Sequence, residues 1–495
     1  MPVKNDLLEV IIEDLSNEGE GIGHADGYTL FVKDAVIGDR VLARITKAKK
    51  SYAYARTEKI LCPSPDRAVP LCPRARSCGG CRLQELTYPK QLSFKENIVR
   101  SNLSRIGGFL FGDGSEMQKS PATGESTGPA AASETVFEPI LAAENPFRYR
   151  NKAQYPVGTD RKTGRIITGF YAGRTHDIID IRDCALTRQH NADILETIIS
   201  FMEKYRIPAY DETTGTGLVR HILIREGFAT GEILVCLVIN GKSVPHSREL
   251  AERLSRFPQI RSVCLNINEK RTNVILGNEV LPLAGHPWIE DRLGDVTFRI
   301  SPLSFYQVNP AQALRLYRSV LAYADLHGTE IVFDLFCGIG TISLFLARKA
   351  KAVYGVEIVE DAVRDARENA MRAGITNARF FAAAAEEIAQ RGFFDENTPL
   401  MKPDVIVLDP PRKGCEESLL KVILKLGPEK IVYVSCDSAT LARDLKILCT
   451  APPAENGAGY RYYLSRVQPA DLFPQTTHIE TICLLSRQLS DGSPL

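Results

Sequence analysis

Hydrophobic and polar positions alternate with period two through residues 1–60. The runs Leu7–Leu15, Tyr28–Val32, Arg40–Thr46 and Ala53–Ile60 read as strands separated by GEGIGHADG and AVIGD. They predict a small antiparallel β-barrel over residues 1–61. The period is lost over 62–89, where Cys, Pro and Gly cluster around what reads as a bound ion or cofactor, and a helix is predicted at Lys90–Arg105. Residues 113–136 are small and polar with almost no large apolar side chain, and predict a disordered insertion. Strands return from 137, with helices at Arg188–Tyr205 and Pro310–Tyr323 and a hairpin of Leu218–Glu226 with Glu232–Asn240 joined by GFATG. Residues 62–325 therefore read as a central α+β domain. After 326 the texture changes: apolar strands Ile331–Leu335, Ala352–Val356, Val405–Leu408 and Ile431–Val434 alternate with helical stretches. That alternation predicts a doubly wound, Rossmann-like α/β domain over 326–495. The chain shows no internal repeat of fixed period.

Composition changes this picture little. The 495 residues suit about three domains, and the apolar and charged fractions are those of a soluble globular protein. The start, MPVKNDLLEVIIEDL, lacks the basic and apolar regions of a secretory signal. The longest apolar runs, such as Ile233–Ile239, fall far short of the roughly 20 residues that span a membrane. A cytoplasmic protein without membrane attachment is expected, and no obligate protein partner is indicated. The net charge of +1 says nothing about nucleic acid. Local charge does: Arg44, Lys47, Lys49, Lys50, Arg56 and Lys59 crowd residues 44–59, opposed only by Glu58, which suits either a solvated strand face or RNA phosphates.

The candidate chemistry lies at the strand ends of the last domain. The first strand runs into Asp334-Leu335-Phe336-Cys337-Gly338-Ile339-Gly340, whose glycines let the backbone approach a ligand without a Cβ clash. Glu357 ends the next strand, placed to accept hydrogen bonds from ribose hydroxyls. These features fit a dinucleotide or S-adenosylmethionine, but the third glycine of the dinucleotide fingerprint is missing. The fourth strand ends in Leu408-Asp409-Pro410-Pro411-Arg412-Lys413-Gly414, whose prolines hold an extended loop at the carboxyl edge of the sheet. A DPP loop there resembles that of methyltransferases acting on nucleobases. Cys436 follows the fifth strand beside a helix amino terminus, which can favour its thiolate.

A thiol has a purpose at that edge. Carbon-5 of uracil is too weak a nucleophile to take a methyl group from a sulfonium unaided, whereas a thiolate added to carbon-6 makes carbon-5 an enolate carbon. A base must then remove the proton from carbon-5. His478 and Glu480 in TTHIE are candidates, placed on one face if the segment is a strand.

Cys72, Cys78 and Cys81 form a C-x5-C-x2-C pattern, with Cys184 far downstream. Three soft ligands in a glycine-rich loop and one distant one suit zinc or an iron–sulfur cluster.

Together SFYQVN (304–309), DLFCGIGT, GVE, LDPPRKG, VSCD and HIE occur in order over the carboxyl-terminal part of the chain and resemble the RNA uracil-C5 methyltransferase family. The resemblance implies a class I methyltransferase domain in which Gln307, Phe336, Glu357 and Asp409 line the S-adenosylmethionine site. It also implies that Cys436 is the nucleophile and Glu480, rather than His478, is the base. The amino-terminal segment resembles a TRAM domain, an OB-like RNA-binding barrel. The RumA-type branch, which acts on 23S rRNA, carries both a TRAM domain and a [4Fe–4S] cluster. That likeness implies such a cluster on Cys72, Cys78, Cys81 and Cys184, with 23S rRNA as the expected partner. Two departures stand out. Thr341 occupies a position where relatives acting on tRNA often have Asn, and Phe381–Glu386 opens without the acidic residue that many relatives place near the adenine. The alternatives are the same chemistry on tRNA, an iron–sulfur RNA-binding protein without activity, and a flavin or nicotinamide oxidoreductase. The last is opposed by the incomplete glycine pattern and the DPP loop.

Overall fold

The computed structural model describes residues 2–25, 27–111, 135–387, 402–451 and 460–489. Five strands, β1 (Leu7–Leu15), β2 (Gly21–Ala25), β3 (Tyr28–Lys33), β4 (Arg40–Ala48) and β5 (Tyr52–Cys62), close into a barrel in the order β1-β2-β3-β5-β4. Alternate residues point inward, so Val10, Ile12, Leu30, Val32, Val41, Ile45 and Ala53 form its core. Two expectations are corrected here. The barrel is not wholly antiparallel, because β3 and β5 are non-consecutive neighbours and pair in parallel. The glycine-rich stretch 19–27 is not merely a connection, since it contains β2. Gly23 packs so closely under β1 that a Cβ would sit 2.3 Å from the carbonyl oxygen of Ile11, so the strand there must do without a side chain.

The Arg67 guanidinium donates to the buried Asp39 carboxylate at 2.7 Å and ties the barrel to the cysteine-rich loop. After it come α1 (Tyr88–Arg105) and the two-residue strand β6 (Val136–Phe137). Of the predicted insertion 113–136, residues 113–134 lie outside the described residues. Its last residue, Val136, is a strand residue instead, paired with Arg466.

The second sheet comprises β7 (Lys152–Thr159), β8 (Ile166–Tyr171), β9 (Ile178–Asp180), β10 (Val219–Glu226), β11 (Ile233–Ile239), β12 (Ile260–Ile267) and β13 (Glu279–Gly285), in the order β13-β12-β11-β10-β7-β8-β9. Helices α2 (Asn191–Lys204) and α3 (Ser247–Leu254) cover one face. Cys236 and Leu234 on the other face join the core shared with the last domain. Burial on both faces explains why β11 is apolar at every position. The predicted hairpin is present, with Glu226 opposite Ile233.

A short hairpin, β14 (Ile289–Leu293) and β15 (Val296–Ile300), leads through a loop to α4 (Pro310–Ala324). The last sheet then winds through β16 (Ile331–Leu335), α5 (Thr341–Ala347), β17 (Ala352–Glu357), α6 (Glu360–Arg372), β18 (Ala378–Ala382), β19 (Val405–Leu408), α7 (Glu417–Leu426), β20 (Lys430–Ser435), α8 (Ser438–Thr450), β21 (Tyr460–Ala470) and β22 (Glu480–Leu489). Its order is β18-β17-β16-β19-β20-β22-β21-β6, parallel from β18 to β20, with β22 antiparallel to β20. The order reverses between β16 and β19, the place where open α/β sheets bind ligands. Three elements that precede residue 326 pack on this sheet: α4, β6 and α1, whose Val99 and Leu103 share a core with Leu441 and Leu445.

Candidate active site

The carboxyl ends of the parallel strands open into one crevice of about 1350 Å³. Phe336, Gly338, Glu357, Asp409, Cys436, His478 and Glu480 all line it, as does Gln307 from the loop after β15. Every residue singled out for the cofactor or the chemistry is thus brought to one cavity. The four clustered cysteines are not; their loop reaches the crevice only through Gly80.

At the β16–β17 end of the crevice, Phe336 takes a φ of 86°, a left-handed conformation costly for a residue with a Cβ. It is held there because the Phe336 and Cys337 amides both donate to Val356 O. Gly340 has a φ of 82° and is pressed between Phe380 and Ala366, so a larger residue there is excluded on two counts. The Glu357 carboxylate accepts from Gly338 N at 3.2 Å and Val359 N at 2.9 Å, and so joins the turn after β16 to the end of β17. The Gln307 carbonyl accepts from Asn151 Nδ2 at 3.0 Å, which fixes the loop on the central domain. The loop after β18 supplies Ala383 to Glu386 to the wall.

At the other end, the register Ser435↔Thr481 carries Cys436 and Glu480 past the last paired residues to the same edge. Asp437 caps α8 by accepting from Ala439 N and Thr440 N, both at 3.0 Å. The helix amino terminus does not lower the Cys436 thiol here. Burial, with Glu480 and Asp409 adding negative charge, pushes the Cys436 thiol up to about 11 against the opposing pull of Arg412. Cys436 therefore rests as a thiol. Burial also pushes Asp409 up to about 7, with Asp334 adding to it, and Asp334 up to about 6. Glu480, fully enclosed beside Asp409, is raised well above the ordinary carboxylate range. His478 is pushed down by burial and then by Arg412, Lys95 and Arg150, so it rests neutral. It precedes β22 rather than lying in it, so strand alternation does not explain its place beside Glu480.

The loop carrying these residues is held by α1. Lys95 and Asp471, both fully buried, pair at 2.6 Å. Gln91 Nε2 donates to Gln475 Oε1 at 3.0 Å, and its Oε1 accepts from Gln475 N. Sequence reasoning missed this role, since polar residues on a helix read as a solvated face. It also missed Asp334, whose Oδ1 is buried without a partner among the described residues. The signal for Asp334 is an acid ending an apolar strand.

Among the described residues no group of three or more His, Cys, Asp or Glu is arranged to hold a metal ion. Cys72, Cys78, Cys81 and Cys184 nevertheless lie within electrostatic reach of one another. No helix among the described residues is long and apolar enough to cross a membrane.

A strand order with its switch point at a glycine turn, a DPP loop and a thiol at one edge resemble the site of S-adenosylmethionine-dependent methyltransferases acting on nucleobases. The family described as tRNA (Uracil-5-)-methyltransferase matches residues 228–488, and the TRAM domain matches residues 4–57. An uncharacterised RNA methyltransferase of Halalkalibacterium halodurans is 42% identical over 483 residues, 97% of each chain. One of Clostridium acetobutylicum is 43% identical over 493 residues, 98% of each chain. The crystal structure of Pyrococcus abyssi tRNA (uracil-54, C5)-methyltransferase in complex with S-adenosyl-L-homocysteine superposes with a TM-score of 0.71 and 26% identity, covering 96% of this chain and 99% of that one. The chain belongs to the RNA uracil-C5 methyltransferase family.

Proposed function

We propose that this protein methylates carbon-5 of a specific uridine in 23S rRNA through a covalent bond between Cys436 and carbon-6. The observation that carries the mechanism is the convergence of Cys436, Glu480 and Asp409, which act on one another electrostatically, in the same crevice that Phe336 and Glu357 line. Bound S-adenosylmethionine supplies the methyl group. Gln307, Phe336, Glu357 and Asp409 bind and orient it. Cys436 gives its proton to solvent through the open mouth of the crevice and adds as the thiolate to carbon-6, which raises electron density at carbon-5. Once carbon-5 carries the methyl group, Glu480 takes the remaining proton there. The electrons of that C–H bond restore the ring double bond and expel the Cys436 thiolate.

The choice of rRNA rests on the TRAM barrel together with the four thiols. The name of the Pyrococcus neighbour favours tRNA as a second reading. Mapping 5-methyluridine in rRNA and tRNA from a deletion strain separates them. One 23S site is expected to lose its mark and regain it on complementation. Loss of a tRNA mark instead would move the substrate, and loss of no mark in any RNA would end the proposal.

We propose further that Cys72, Cys78, Cys81 and Cys184 hold a [4Fe–4S] cluster. The donor set is all sulfur, the four thiols come from two distant segments to within electrostatic reach of one another, and the Gly80 amide is directed at Cys78 Sγ at 3.4 Å. The cluster would fasten the loop over 62–89 to the central domain, with no part in methyl transfer. Cys78→Ala is expected to remove bound iron and the visible absorption of the cluster and to weaken RNA binding. Unchanged iron content, or unchanged folding and RNA affinity, would count against that role.

A further inference from the structure

We infer that the outward face of β3 and β5 is a stacking platform for unpaired RNA bases, and that the strand runs from there past the cysteine loop into the crevice. The inference rests on RNA being the substrate, as proposed above. Strand register places the side chains in rows. Thr29 lies beside Tyr52; Phe31 lies beside Tyr54, which lies beside Lys47; Lys33 lies beside Arg56, which lies beside Arg44. Their chain neighbours Leu30, Val32, Ala53 and Ala55 fill the barrel interior, so Phe31, Tyr52 and Tyr54 point outward. The three ring centroids are each 5.7 Å apart, and all three rings remain half-buried rather than covered.

Cross-strand aromatic pairs can stabilise a sheet by themselves. The charge around them points to a ligand. Lys33 and Lys47 are exposed and form no ion pair among the described residues, and Lys49 and Lys50 extend the positive rim. The one acid within the rows, Glu58, is shared between Arg44 at 2.9 Å and Arg56 at 3.8 Å. Aromatic faces bordered by cations that can follow a phosphate backbone are what single-stranded RNA requires. A duplex keeps its base faces stacked and cannot use them.

At Lys33 the platform borders the cysteine loop, and that loop reaches the active site through Gly80. Lys33 lines a groove of about 170 Å³ between the barrel and the cysteine loop, together with Cys78, Arg82 and Arg174 and the acids Glu18, Glu20, Asp34 and Glu85. Gly80, between Cys78 and Arg82, lines the catalytic crevice. Arg82 N donates to Gln475 O at 2.9 Å, fastening this path to the loop that carries Glu480. An enzyme that must unstack its target uridine benefits from holding neighbouring nucleotides already unpaired.

The test uses the full chain and a fluorescent oligouridylate of about 20 nucleotides, with an RNA duplex of like length as competitor. Phe31→Leu with Tyr54→Leu keeps apolar cover on the barrel but removes the flat faces. This pair is expected to weaken oligouridylate binding by about fivefold or more at every salt concentration. Tyr54→Phe should bind as the wild type does. Lys33→Ala with Lys47→Ala should reduce the salt slope of log K by about 1.4. For the leucine pair, methylation should show a raised KM with kcat unchanged. Two results would overturn the platform: affinity within about twofold of wild type in a folded leucine variant, or competition by duplex as strong as by single strand. Wild-type protein that makes no 5-methyluridine would defeat the functional reading instead, and the binding constants would still decide the platform.

Discussion

Cys436→Ala is expected to lower uracil methylation by about 10⁴-fold or more, while S-adenosylmethionine binds almost as it does to the wild type. Cys436 follows β20, which the sheet order separates from β16 and β17 by β19, and it takes no part in the hydrogen bonds of Glu357, so its loss leaves the turns after β16 and β17 intact. The side chain is small and partly exposed, so alanine opens no large cavity. Equilibrium dialysis and single-turnover methylation on the same preparation separate the two effects. Turnover close to that of the wild type would exclude covalent catalysis through this residue. The resting state adds a second arm. Because the thiol is raised to about 11, the thiolate fraction in free enzyme grows about tenfold per pH unit through neutrality. Glu480 is raised too, and its active form as a base is also the deprotonated one. Both groups therefore make kcat/KM rise with pH from about 6 to about 9. A profile that falls across that range would contradict these protonation states.

The chemistry of the site was more legible than its protonation. Asp409 and Cys436 each follow an apolar strand, and strand ends are visible in a sequence because period and length are local properties. Ile331–Leu335 and Val405–Leu408 are strands with the predicted bounds. Whether Cys436 rests as thiol or thiolate depends on how deeply it sits and on Glu480 and Asp409 beside it, which only the folded chain fixes. The same holds for packing. β2 was hidden because Gly21 and Gly23 have no side chain to alternate. The docking of α1 was hidden because its buried face carries Gln91 and Lys95, whose partners Gln475 and Asp471 lie near the other end of the chain. The platform on the barrel was half visible: the cluster of cations stands in the sequence, but the aromatic rows beside it require the parallel pairing of β3 with β5.

Glu480→Gln should separate bond making from bond breaking. The amide is close in size to the carboxyl, and since the buried Glu480 favours its neutral form, the substitution places no new cost on the fold. Cys436 still adds to carbon-6 and the methyl group is still delivered, because neither step draws on a base at that position. Removal of the carbon-5 proton is then slowed by about 10²- to 10⁴-fold, the usual contribution of a positioned base. The Cys436 thiolate cannot leave, so a methylated protein–RNA adduct should accumulate and survive denaturation. Gel electrophoresis of labelled RNA, followed by mass spectrometry of the Cys436 peptide, detects it. His478 is the control: it lines the same cavity and rests neutral, and His478→Ala should slow turnover without trapping RNA. If the His478 variant accumulates the adduct and the Glu480 variant does not, the base is the imidazole and the two roles must be exchanged.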